Sequence, residues 1–372
     1  IQPMIINAEK HLDDGKYENV FLFRTALLEE TNQAFQYGDD SSGDLGYLVN
    51  TALHFLAQLS ETNLPEKLRN QFFSYCISAF TKEIFEGWDW HLDMLALATD
   101  LAKNKRESDV IFQLLNTVKS EFYVEQAQEM TLVLLQRFGT EKEVAEYSAK
   151  HISNPAIRNI LIREAFTEEN YQRAIKLASD GIEYDKKERP GLVNTWTNWL
   201  LKVAQAQNDT VKIIEYARYL FLENFHPEQD YYQVLKHTVP SEEWNSFLEG
   251  IIHELEEKLH WRNVQLLRGI YIKEKMWERL LEMVRGYGSL DFTHENEEYL
   301  AEDYAEELID LYRQGIIEFL ENYTGRKYYK RACRFIRRMK KLGGRSKAEE
   351  LEEFLRQTYP QRKALIDELN QL

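Results

Sequence analysis

Apolar residues recur along this chain at offsets of three and four. The clearest case is Trp244-x-x-Phe247-Leu248-x-x-Ile251, which returns 33 residues later as Trp277-x-x-Leu280-Leu281-x-x-Val284. Side chains three and four apart share one face of a helix, so each segment predicts a short amphipathic helix. With the first position of the stripe as anchor, such helices are predicted at Glu107, Glu141, Tyr171, Thr210, Trp244, Trp277 and Tyr328, at spacings of 34, 30, 39, 34, 33 and 51 residues. In the last copy the stripe skips one position and runs Tyr328, Ala332, Phe335, Ile336, Met339. The interval between anchors holds one further helix and a polar turn, so from about residue 86 the chain reads as helical hairpins. No stretch alternates with period two for long enough to predict a strand. The predicted class is all-α.

Before residue 86 the helical pattern is longer. Val20-Phe21-x-Phe23-Arg24-x-x-Leu27-Leu28 and Leu48-Val49-x-x-Ala52-Leu53-x-Phe55-Leu56 each keep the helix period. Between them, Asp39-Asp40-Ser41-Ser42-Gly43-Asp44-Leu45-Gly46 invites a calcium reading. Asp40, Ser42 and Asp44 suit the first, third and fifth positions of such a loop. However, Leu45 replaces the turn glycine and Thr51 the bidentate glutamate, so the segment reads as an acidic turn that caps the next helix. Punctuation falls where the hairpin period asks for it. Gly139-Thr140 with Glu143 spells a capping box, Asn208-Asp209 and Pro240-Ser241 mark turns, and Pro155 and Pro190 stand where first helices begin.

Helix pairs of about 34 residues have the size of tetratricopeptide units, which stack because one pair cannot bury its apolar face alone. The tetratricopeptide pattern of Trp, Leu-Gly and Tyr at fixed offsets is missing from every copy, and the spacings vary. The expected architecture is an irregular α-solenoid, or a curved right-handed stack of helical hairpins. It would form a single elongated domain over 1–372, with long helices in 1–85, hairpin repeats in 86–322 and basic helices in 323–372. Aromatic residues, 13% of the chain, suit the variable gaps between neighbouring hairpins.

Composition narrows the function classes. A hydrophobic content of 44% with 29% charged residues is that of a folded protein. The net charge of −16 opposes whole-surface binding to nucleic acid or to an anionic membrane. Cys76 and Cys333, far apart and each among apolar residues, make no metal framework and suit a reducing compartment. No apolar run nears the roughly 20 residues that cross a bilayer. The start at Ile1-Gln2-Pro3-Met4 lacks an initiator Met and a signal pattern, which predicts a fragment of a longer chain.

One charge reversal breaks the repetition. From Ser289 to Leu311 the chain carries nine acids and no Lys or Arg; from Arg326 to Lys347 it carries eleven basic residues and no acid. The other 350 residues then hold 35 basic against 62 acidic side chains. Two readings compete. In one, Lys330, Arg334, Arg337, Arg338 and Lys341 form a stripe opposite the Tyr328/Ala332/Phe335/Ile336/Met339 face, open to phosphates or an acidic protein. In the other, which adjacency in sequence favours, the basic helix pairs along its sides with the acidic helix before it. The patch holds more charge than one neighbour can neutralise.

Catalytic patterns do not emerge. Nine scattered histidines include no His-Glu-x-x-His pair. His253 and His260 could share a helix face, but at about 10 Å of helical rise they are too far apart for one metal. Gly343-Gly344 reads as a helix C-cap and not a phosphate loop. There is no Gly-x-Ser-x-Gly elbow. Glu256-Glu257 and Glu297-Glu298 read as solvated helix faces. The chain is expected to have no cofactor and no enzymatic site.

Two segments carry a family likeness. The first is Asp39-Asp40-Ser41-Ser42-Gly43-x-Leu45-Gly46. The second is Tyr328-x-x-x-Ala332-Cys333-x-Phe335-Ile336-x-x-Met339-Lys340-x-Leu342, with Leu355-Arg356-x-x-Tyr359-x-x-Arg362-x-Ala364-Leu365-x-x-Glu368-Leu369 beyond it. Together they resemble the helical region that follows the zinc finger in bacterial SWIM zinc-finger proteins. The family's Cys-x-Cys and Cys-x-His metal motif is absent, so zinc-dependent binding implied by the resemblance would belong to another part of a longer chain. The expected function is a cytoplasmic, non-enzymatic scaffold presenting a concave helical surface to a protein partner, with the basic helix as its contact. The alternative is the accessory domain of a nucleic-acid-associated SWIM-type protein, with that helix on phosphates. No membrane partner is expected.

Overall fold

The computed structural model describes residues 14–372 apart from 36, 39, 42, 87, 89, 225–228 and 259. Among the described residues there are twenty α-helices and no strand, so the fold is all-α and solenoid-like, as the hydrophobic period predicts. No described helix is long and apolar enough to cross a membrane. The chain divides into two compact units, Ile1–Val239 and Pro240–Leu372, and the division falls inside the stretch read as hairpin repeats.

The first unit contains α1 (Tyr17–Ala34), α2 (Asp44–Ser60), α3 (Glu66–Thr81), α4 (Trp90–Leu101), α5 (Lys105–Leu115) and α6 (Val124–Phe138). It continues with α7 (Glu141–Lys150), α8 (Pro155–Thr167), α9 (Tyr171–Glu188), α10 (Val193–Ala206), α11 (Thr210–Glu223) and α12 (Tyr231–Thr238). Most helices pack on the next in sequence. In addition α2, α4, α6 and α8 pack on one another in succession, each skipping the helix between, which is how stacked hairpins form a shared layer. Phe72, Phe85, Leu56 and Leu95 fill the core of the early helices, and Ile162, Ala178, Trp196 and Leu200 that of α8–α10.

The second unit contains α13 (Ser241–Glu257), α14 (Trp261–Lys273), α15 (Trp277–Tyr287) and α16 (Leu290–Leu300). After them come α17 (Ala305–Asn322), α18 (Arg326–Lys341), α19 (Arg345–Thr358) and α20 (Lys363–Leu369). Helix α18 is central to its C-terminal part, packing on α17, α19 and α20. The buried face of α18, which includes Ala332, Phe335, Ile336 and Met339, meets Tyr312, Ile316, Leu351 and Leu365 in one core.

All seven anchors lie on helices. Glu141, Tyr171, Thr210 and Trp277 are the first residues of α7, α9, α11 and α15, while Glu107, Trp244 and Tyr328 lie in the first turn or so of α5, α13 and α18. The irregular spacings have structural causes. The 51-residue interval holds two helices, α16 and α17, where other intervals hold one. The 39-residue interval holds the long α9 and a 3-10 turn, Pro190–Leu192, so Pro190 opens that turn and not α10. Pro155 is the first residue of α8, as expected.

Side-chain caps mark where several of the helices begin. Thr140 and Glu143 form the reciprocal capping box, and Asp209 accepts from the Lys212 amide. The acidic turn is a cap too: the Asp40 carboxylate accepts from the amides of Leu45 (2.8 Å) and Gly46 (3.1 Å) at the start of α2. Asp39 and Ser42 of that turn lie outside the described residues. His260 is the N-cap of α14 and binds through Nδ1, while α13, which carries His253, ends at Glu257, so the two histidines do not share a helix.

Both glycines after α18 are used. Gly343 has φ +96°, a left-handed conformation that side chains resist, and the Gly344 amide donates to the Met339 carbonyl (3.0 Å), closing the helix. At Gly344 a Cβ would stand 2.7 Å from two carbons of Ile309. Gly344→Val is therefore expected to cost about 1–3 kcal/mol by overpacking. Urea denaturation read on α17 and α18 would check it, and an unchanged midpoint would refute the close approach.

Candidate docking surface on the basic helix

At 100° per residue, Lys327, Lys330, Arg334, Arg337 and Lys341 fall within a sector of about 80° on α18. The sector faces away from Ala332, Ile336 and Met339. All five side chains are exposed. The row extends for about 21 Å of helical rise, steps by three and four residues, and contains no acid.

The basic side chains beside this row are neutralised. On one flank Arg331 pairs with Asp291 and Arg338 with Glu297, both acids on α16. On the other flank Lys340 pairs with Glu352 of α19 (2.8 Å), and Arg326 with Asp367 (2.9 Å) and Glu368 (3.6 Å) of α20. Farther on, Lys347 reaches Asp310 of α17 (2.6 Å). The flank pairing expected from sequence is therefore present, but it is shared among helices before and after α18. The acidic stretch is not one helix: it spans α16, a turn and the start of α17. Among the described residues no ion pair reaches Lys327, Lys330, Arg334, Arg337 or Lys341.

Two sequence expectations change here. Arg338 leaves the candidate stripe, because its guanidinium turns into Glu297, and Lys327 joins the stripe. Glu297 is not on a solvated face: only 5% of it is exposed. The Tyr312 hydroxyl donates to Glu297 Oε2 at 2.6 Å, Arg338 Nε donates to the same oxygen at 3.1 Å, and His294 Nδ1 stands 3.7 Å away. Burial alone would raise the Glu297 carboxyl, but hydrogen bonds from Arg338 and Tyr312 together with the Arg338 charge hold it below the usual range. Burial and that same carboxylate push the Tyr312 phenol far upward. Of the Glu297-Glu298 pair only Glu298 lies on a solvated face.

No family model, curated protein or solved structure matches the chain.

Reactive groups are closed off. Cys333 is 1% exposed, and burial raises its thiol to about 11; Cys76 is fully buried and raised further. Thiols held protonated in this way are poor nucleophiles and poor metal ligands. Among the described residues no three His, Cys, Asp or Glu side chains gather as a metal site; His11 and His226 lie outside them. What α18 can do with the groups it displays is attract anions.

Proposed function

We propose that the chain is a cytoplasmic, non-enzymatic helical-repeat scaffold that docks an acidic segment of a protein partner on the exposed row of α18. One observation carries this reading: five cations line one face without an acid among them, while every other basic side chain of α18 is paired inside the unit. The five cations repel one another and, among the described residues, form no ion pair within the unit, although Arg334 lies over the Phe335 ring (5.0 Å). A partner presenting carboxylates at helical spacing, every three or four residues, would meet the row in register, and rim charges of this kind speed encounter and select partners. The overall negative charge opposes a long polyanion, which places the accessory role on nucleic-acid phosphates second. That role rests on the likeness to SWIM-associated helical regions.

Fluorescence anisotropy distinguishes the two. A labelled Glu-rich peptide is expected to bind at low salt, and the variant K330E/R334E/R337E/K341E is expected to weaken it at least tenfold. Arg338 stays untouched in that variant because it belongs to the fold. No binding, or binding unchanged in the variant, would overturn the proposal. Stronger binding of generic single- or double-stranded DNA or RNA, lost in the variant and falling with a log–log salt slope of about −3 to −4, would transfer the row to phosphates.

A further inference from the structure

A second surface of the Pro240–Leu372 unit has the opposite character. Helices α13, α14 and α15 enclose an open groove of about 1080 Å³. Its floor is apolar: Val264, Leu267 and Tyr271 lie at i, i+3 and i+7 on α14, joined by Ile252 from α13 and Met283 from α15. Its rim is acidic. Glu249 and Glu256 stand on α13, and Glu278 and Glu282 on α15. Arg279 is the one guanidinium in the lining, and it pairs with Glu249 (3.0 Å); Arg285 reaches Glu282 from outside the groove. Glu256 accepts the Tyr271 hydroxyl (2.9 Å), which fixes one carboxylate at the edge of the floor.

A glycine in the wall completes the shape. Gly286 lines the groove on α15, and a Cβ added there would meet no atom within 4 Å. Glycine is the poorest helix former after proline, and no close approach of backbone requires it at this position. The helix gains nothing from Gly286, whereas the groove gains width.

We infer that this groove docks a basic amphipathic helix of a partner protein. Apolar side chains at i, i+3, i+4 and i+7 would enter over Leu267 and Met283, and Lys or Arg on the helix flanks would face Glu256 and Glu278. This is the helix-in-groove mode of recognition, with the acidic rim setting the sign of the partner. The inference is independent of the α18 row, which selects acidic partners, so the two surfaces would hold different segments.

The probe is a labelled 14-residue peptide with Leu at i, i+3, i+4 and i+7 and Lys on the flanks, titrated against the full chain by anisotropy. Further titrations use its Lys-to-Glu counterpart, a scrambled peptide of the same composition, and the variants Gly286→Leu and E256K/E278K. The Lys peptide is expected to bind at least tenfold tighter than either control peptide. Both variants are expected to lose at least tenfold, and K330E/R334E/R337E/K341E to lose none. Gly286→Leu changes shape without charge, so unchanged binding to it would overturn the inference, as would equal binding of the scrambled peptide. Should Gly286→Leu disturb folding, the charge variant decides, with E278K alone as the version that keeps the Tyr271–Glu256 hydrogen bond; Glu278 is exposed.

Discussion

Glu297→Ala is expected to destabilise the Pro240–Leu372 unit by about 3 kcal/mol, whereas K330E or R334E alone should cost under about 1 kcal/mol. Removing one partner of a buried pair costs about 3–5 kcal/mol because the other charge stays behind. The lower end applies here, since the Arg338 side chain is one-third exposed and water can reach it. Tyr312, fully buried, would lose its acceptor as well. The α18 row differs in kind. Its side chains have no partner acids to abandon, and reversing their charge removes no contact beyond that of exposed Arg334 with the Phe335 ring (5.0 Å). Hydrogen exchange read on peptides of α16, α17 and α18 would separate the cases. Equal costs at Glu297 and Arg334 would show that the division into structural and free cations is wrong.

The same carboxylate predicts a pH window. The Glu297 carboxyl is held below its unfolded value, so its contribution is fully present above the usual glutamate value of about 4.3. As pH falls below that value and through the folded pKa, the unfolded chain takes up the proton first and the contribution is lost. Protection of α16–α18 should therefore fall in acid below about pH 4.3, and Glu297→Gln, which cannot titrate, should flatten that fall. A variant with an unchanged acid profile would assign the acid sensitivity elsewhere.

Helix positions were legible because burial is periodic. Leu248 and Ile251 on α13 and Leu280, Leu281 and Val284 on α15 face cores, and a 3.6-residue period in sequence is that burial written linearly. The extra helix in the 51-residue interval falls between two anchors, although α17 carries a full stripe of its own in Leu308, Ile309, Tyr312, Ile316 and Leu320. The basic helix was legible as a charged stretch, and its free row was mostly legible as well, because i, i+3, i+4 spacing places residues on one face. What sequence did not carry was the partition of its flanks. Arg338 and Glu297 are 41 positions apart, and Arg326 pairs forward with Asp367, also 41 positions away. Which of two adjacent glutamates turns inward depends on the register of α16 against α17 and α18, and no local pattern encodes that register. The groove was missed for a related reason: its floor and rim come from three helices, each of which reads as an ordinary amphipathic segment.

In the Ile1–Val239 unit the largest single effect is expected at Trp196. Only 1% of this residue is exposed, and its indole Nε1 donates to Asp185 Oδ2 at 2.7 Å. Asp185, itself 1% exposed, also faces Arg189 Nε at 3.3 Å. Trp196→Ala should cost about 3–5 kcal/mol, as large-to-small changes in cores do. Trp196→Phe keeps most of the volume but leaves a buried carboxylate without its donor, for about 1–3 kcal/mol. Gly181 on α9 tests the packing from the other side. A Cβ there would stand 2.8 Å from Arg158 Cδ and 3.1 Å from the Trp196 ring, so Gly181→Ala should destabilise the intact protein. With Trp196 already alanine, the ring part of that clash disappears and the added methyl enters vacated space. The second substitution should then cost less than it does alone, and the double-mutant cycle should be non-additive by about 0.5–3 kcal/mol. Urea midpoints, with hydrogen exchange on α8–α10 to localise the loss, would measure the cycle. Strict additivity would mean that Gly181 is required by Arg158 alone, whose guanidinium is tied to the Leu177 carbonyl at 3.0 Å and cannot retreat.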